Sequence, residues 1–141
     1  MTGFGTHNQP VGTWSDDSSM TFCLVENLIA GYDIEDLKKL FCNWYYYGHR
    51  THNHNLPFDI GQSTFKALSN IKAGVSKSES GLSSENSNGN GSLMRVLPLA
   101  FYLRDAEDES KFTMVEEVSG ITHAHMRSKI AFALYVEIAI H

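Results

Sequence analysis

Apolar residues at Met20, Leu24 and Leu28 recur every fourth position, and Phe22, Val25 and Ile29 widen the stripe. That spacing predicts a helix over 16–30 with one face in a core, closed by Gly31 as a C-cap. A second helix is predicted from Asp33, with Asp36 three residues on, burying Ile34, Leu37, Leu40, Phe41 and Trp44. The run "YYYGHRTHNHNLP" that follows reads as a polar loop, and a third helix is predicted over 62–72. Residues 76–92 hold seven serines, three asparagines and three glycines, which predicts a long, flexible connection of the kind that binds ligands or stays disordered. Helical patterning returns over 93–104, near 112–118, and from 122 to the end. No strand and no internal repeat is recognisable, so the predicted fold is all-α.

Composition narrows the function. With 141 residues the chain has room for one domain and a real core. A net charge of -5 argues against non-specific nucleic-acid binding, which calls for a basic surface. A phosphate-bearing ligand would then have to be held by local donors. Cys23 and Cys42 form no CxxC pair and read as buried thiols. No long apolar stretch or signal peptide is visible, so no membrane association is expected and a cytoplasmic setting is.

Four polar helix entrances carry the candidate chemistry. In "GTWSDD", Ser15 is a plausible N-cap and Asp16 and Asp17 suit the positive end of a helix. The alternative is a hard-cation site, since Mg²⁺ takes carboxylate, hydroxyl and water oxygens. Successive helical residues point about 100° apart, so the pair serves ions best where the backbone is still extended. In "SNGNGSLMR", alternating Asn and Gly precede a helix. That suits either a turn or an anion site built on backbone N–H groups, with Arg95 adding charge. "FDIGQST" sets Asp59 ahead of another helix as cap or functional carboxylate, and "THAH" sets His123 at the start of the last helix.

Taken in order, "GTWSDDSSM", "FDIGQSTFKAL", "NGNGSLMRVLPLA" and "THAHMRS" resemble the ADP-ribosylglycohydrolase family, which includes the dinitrogenase reductase-activating glycohydrolases. The resemblance implies a compact all-α fold with two Mg²⁺ ions at the base of an ADP-ribose cleft. It assigns Ser15, Asp16 and Asp17 to metal binding and Asp59 to the substrate ribose. Gly89, Asn90, Gly91, Ser92 and Met94 fall on the loop lining the substrate and its diphosphate, and His123 on a Thr-His pair near the cleft. Gln62 stands where the family frequently has Asn.

The resemblance further implies Mg²⁺-dependent release of ADP-ribose from an ADP-ribosylated protein or a related small molecule, by cleavage of a glycosidic bond. Asp16, Asp17 and Asp59 are the expected catalytic carboxylates. Family members are longer, with an acidic opening helix and a later metal-binding stretch of the Asp-x-Asp-Thr type. Together with the apolar run "IAFALYVEIAIH" at the end, this leads us to expect a partial domain over 1–141, inactive by itself. Two rival readings are a non-catalytic ADP-ribose-binding or structural homologue, and a zinc protein using His49, His52 and His54.

Overall fold

The computed structural model describes residues 3–54, 56–75 and 80–141. The α-helices among them are α1 (Asp16–Ala30), α2 (Ile34–Tyr47), α3 (Gln62–Lys72), α4 (Leu97–Tyr102), α5 (Asp108–Gly120) and α6 (Met126–Ile140). The all-α expectation holds. The one departure is an isolated parallel bridge, in which the Leu82 N–H reaches the Thr122 carbonyl at 3.3 Å and the Ala124 N–H reaches the Leu82 carbonyl at 3.0 Å.

Local chemistry explains most boundaries. The Asp33 carboxylate accepts from the Asp36 N–H at 2.8 Å and caps α2, and Gly48 ends it in the left-handed conformation at φ 70°. Gly31 closes α1 as expected. The helix expected over 93–104 is broken into a 3-10 turn, Leu93–Arg95, and the short α4. Pro98 lies in the first turn of α4, where its missing N–H is harmless; in a continuous helix it would remove a hydrogen bond. The last helix starts at Met126 rather than 122, because the His125 ring accepts from the Arg127 N–H and takes the N-cap position.

α1 packs on α2, α4 and the Leu93–Arg95 turn, α3 rests on α2, and α6 rests on α4 and α5. The core between them includes Met20, Leu24, Leu37, Phe41, Trp44, Leu68, Leu99 and Phe132. Phe22 and Ile29, expected in the α1 stripe, are exposed, because α2 and α4 cover only the face that carries Met20, Leu24 and Leu28. On α6, Phe132 and Val136 are buried while Ile130, Leu134 and Ile138 face outward. Cys23 is buried and Cys42 half-buried, both as free thiols. Among the described residues no helix is long and apolar enough to cross a membrane.

Residues 76–79 of the serine-rich connection lie outside the described residues. The remainder is folded against the body: Ser80 and Ser87 are buried, and the Ser84 and Ser87 hydroxyls meet at 2.6 Å. This stretch forms one wall of the cleft described next.

Candidate functional site

A cleft of about 720 Å³ opens where the start of α1, the start of α3, the 84–94 segment and the turn before α6 converge. Asp16, Asp17, Asp59, Gly89, Asn90, Gly91, Met94 and His123 all line it. Residues from four separate polar stretches are thus brought to one place. Two expected site residues are not on its surface. Ser92 is 2% exposed and packs beneath the loop, and Ser15 faces two smaller adjoining depressions.

The acidic wall is built on α1. Asp16 and Asp17 are in the first helical turn, not in an extended lead-in, and only Ser15 keeps β-type backbone angles. Ser15 holds the N-cap position yet makes no capping hydrogen bond. Ser15 is followed directly by Asp16, whose carboxylate is buried in the cleft lining. The Asp16 pKa is raised to about 6, by burial first and then by the neighbouring charges of Asp17 and Asp59.

Asp59 completes the wall from the α3 side. It does not cap α3, whose N-cap position is Gly61. It adopts φ 59°, a left-handed conformation uncommon for a residue with a side chain. The His7 Nε2 approaches its carboxylate at 3.4 Å. Three carboxylates share the lining with a single lysine, Lys66. Carboxylates crowded beside a hydroxyl are a donor set suited to a hard divalent cation. No three His, Cys, Asp or Glu side chains converge on one point among the described residues.

The opposite wall is the Asn-Gly loop and His123. A Cβ on Gly91 would come within 2.8 Å of the His123 Cε1 and 3.1 Å of the Thr64 Oγ1. Glycine is therefore needed here for packing: the imidazole lies against its α-carbon. His123 is not at the start of α6 but in the turn before it, at the bridge to Leu82. Its Nδ1 is 2.8 Å from the Thr122 Oγ1. Burial, and then the nearby Arg95 charge, push its pKa down to about 4.

Arg95 differs from expectation. It is wholly buried rather than directed at a ligand, stacked 4.9 Å over the Phe41 ring. It donates to the Gly91 and Val118 carbonyls and to the Thr122 Oγ1. Burial pushes its pKa down to about 9, while the charge of Asp16 works in the other direction. The guanidinium thus acts from underneath, as a brace for the loop and a positive charge felt by Asp16 and His123.

Sequence reasoning missed His7, which no motif marks, and Thr64 and Lys66, which lie inside "FDIGQSTFKAL" without a role of their own. Among the described residues the His-rich loop gathers no three metal-ligating side chains. His49 Nε2 lies 2.7 Å from the Glu26 carboxylate, and the His52 ring meets Trp14 edge-on at 5.2 Å.

Comparison with known proteins agrees with this geometry. A model of the family described as ADP-ribosylglycohydrolase matches residues 1–141. The protein called ADP-ribosylarginine hydrolase Tri1 from Pseudomonas putida (strain GB-1) is 30% identical over 126 residues, covering 87% of this chain and 33% of that relative. The protein of the same name from Serratia proteamaculans (strain 568) is 33% identical with the same coverage. The chain spans about a third of the length of these curated relatives.

Proposed function

The chain belongs to the ADP-ribosylglycohydrolase family, and from that premise we propose that its cleft binds the ADP-ribose of an ADP-ribosylated arginine for Mg²⁺-dependent hydrolysis of the glycosidic bond. The observation that carries this reading is the meeting of Asp16, Asp17, Asp59, the Gly89–Gly91 loop and His123 in one cleft. The names of the relatives supply arginine as the carrier of the ADP-ribose.

Each residue has a distinct task in this reading. Asp16 and Asp17 would hold Mg²⁺, with Ser15 beside them at the helix start. When bound, the metal supplies positive charge to orient ribose hydroxyls and a water. The Asp59 carboxylate, at the cleft rim, faces the ribose and stabilises the positive charge that develops at C1 as the bond to arginine breaks. Loop residues 89–91 give the diphosphate backbone N–H donors, and Met94 and His123 border it. Local donors thereby let an acidic protein hold an anionic ligand.

Ser15, Asp16 and Asp17 offer too few oxygens for two octahedral ions. Water would fill much of the shell of one ion here, and a second ion needs further ligands. Free thiols at Cys23 and Cys42 support a reducing, cytoplasmic setting.

The test is incubation of the protein with ADP-ribosylated arginine, with Mg²⁺ or with a chelator, following free ADP-ribose alongside calorimetric binding of ADP-ribose. Saturable binding to the wild type that is lost in Asp59→Ala supports the proposed cleft. Metal-dependent release above background establishes the reaction and shows that the ligand count is too strict. Binding without release in a protein supplied with all its metal ligands favours the rival, a non-catalytic ADP-ribose-binding homologue. Absence of both binding and release would refute the proposal.

A further inference from the structure

Beneath the cleft, three side chains form a directed hydrogen-bond chain. The Arg95 Nη2 lies 2.9 Å from the Thr122 Oγ1, which lies 2.8 Å from the His123 Nδ1. A guanidinium has only donors, so the Thr122 oxygen accepts from Arg95. The hydroxyl proton must then point elsewhere, and among the described residues its one acceptor is the His123 Nδ1. Nδ1 with an incoming proton carries none of its own, which leaves the ring proton on Nε2.

Nε2 is the nitrogen that faces the glycine loop: a Cβ on Gly89 would lie 3.6 Å from it, and one on Gly91 3.3 Å. The backbone holds the ring in place. The His123 N–H donates to the Ser119 carbonyl at 2.9 Å, and the Ser119 hydroxyl donates to the His123 carbonyl at 3.2 Å. Thr122, His123 and Ser119 are all buried, so water does not compete for these bonds.

We propose that Arg95 and Thr122 are positioning residues that fix His123 as the Nε2–H tautomer, presenting the cleft with a neutral hydrogen-bond donor for a ligand oxygen. His123 then takes no proton from substrate or water, because its only lone-pair nitrogen is occupied by Thr122. The low basicity of the ring agrees with this, since a buried imidazole next to a guanidinium stays neutral. The identity of the ligand oxygen rests on the ADP-ribose reading of the cleft, whereas the tautomer does not.

Nitrogen-15 spectroscopy of the histidine side chains separates the two. The chain has seven histidines, and loss of one ring signal in His123→Gln assigns the resonance. The wild type should show a protonated Nε2 and an unprotonated Nδ1, unchanged between pH 8 and pH 5. Thr122→Val keeps the side-chain shape but removes the hydroxyl. It should release the ring into a mixture of tautomers, and Thr122→Ser should restore the wild-type pattern. If the Nε2–H form also donates to ADP-ribose, Thr122→Val should weaken binding about tenfold, with recovery in Thr122→Ser. A wild-type ring protonated on Nδ1, or a pattern unmoved by Thr122→Val, would overturn the proposal. A wild-type Nε2–H ring in a protein that does not bind ADP-ribose would uphold the positioning role and reject the ligand instead.

Discussion

The entrances of α1 and α2 begin with nearly the same chemistry and use it in opposite ways. "SDD" and "DIED" each put an oxygen-bearing side chain ahead of acidic residues in a first turn. At α2, Asp33 folds back and bonds the Asp36 N–H at 2.8 Å. At α1, Ser15 holds the N-cap position without a capping bond, and the Asp16 carboxylate that follows is buried in the cleft lining. One entrance stabilises its helix; the other presents its carboxylates to a cleft. A cap-capable residue that does not cap is therefore a physical sign of another role, and Asp59 ahead of α3 repeats it.

The largest effect should come from removing the α1 carboxylates. Asp17→Ala or Asp16→Ala is expected to lower metal-dependent turnover, where it occurs, by roughly a hundredfold or more, as loss of an ion ligand does. Steady-state assay across Mg²⁺ concentrations checks this, and rates within twofold of wild type would break the contrast between the two entrances.

Stability as a function of pH gives the next effect. The Asp16 pKa rises from 3.8 to about 6 on folding, so between those values the folded protein holds more protons than the unfolded chain. Without metal, stability should fall as pH rises through that window. At pH 7, Asp16→Asn should then stabilise the metal-free protein, by at most about 3 kcal/mol. Thermal melts at pH 4 and pH 7, with and without Mg²⁺, read this directly. A destabilised Asp16→Asn would mean that the carboxylate is structural.

Much of this contrast could be read from the order of residues, and some could not. The helices α2 and α3 were legible because their apolar spacing and start signals are local. The 93–104 helix was overextended because apolar spacing passes smoothly through Pro98, which only a hydrogen-bond argument separates. His123 looked like a helix start because its true partner, Leu82, is forty-one positions away in the chain and no local pattern encodes a single bridge. Asp16, Asp17, Asp59 and the 89–94 loop were found through four motifs in a fixed order. That the charge of Arg95 acts from beneath the loop was not legible, since sequence does not distinguish a cation aimed at solvent from one stacked over Phe41.

Smaller effects sharpen the comparison. Asp33→Ala should destabilise the fold by about 1 kcal/mol, because a capping bond is lost. Ser15→Ala should cost less than about 0.5 kcal/mol in metal-free protein, since no cap is removed there. Chemical denaturation measures both, and equal losses would erase the distinction between the two helix starts.

The central claim is that the α1 carboxylates and the glycine loop form one site for a cation and ADP-ribose. Crystals grown with Mn²⁺ and ADP-ribose test it most directly, because anomalous scattering locates the ion without reference to any expected ligand. The predicted result is a peak within coordinating distance of the Asp16 or Asp17 oxygens, ribose beside Asp59, and the diphosphate against residues 89–91. An ion bound elsewhere, or ADP-ribose outside this cleft, would contradict it.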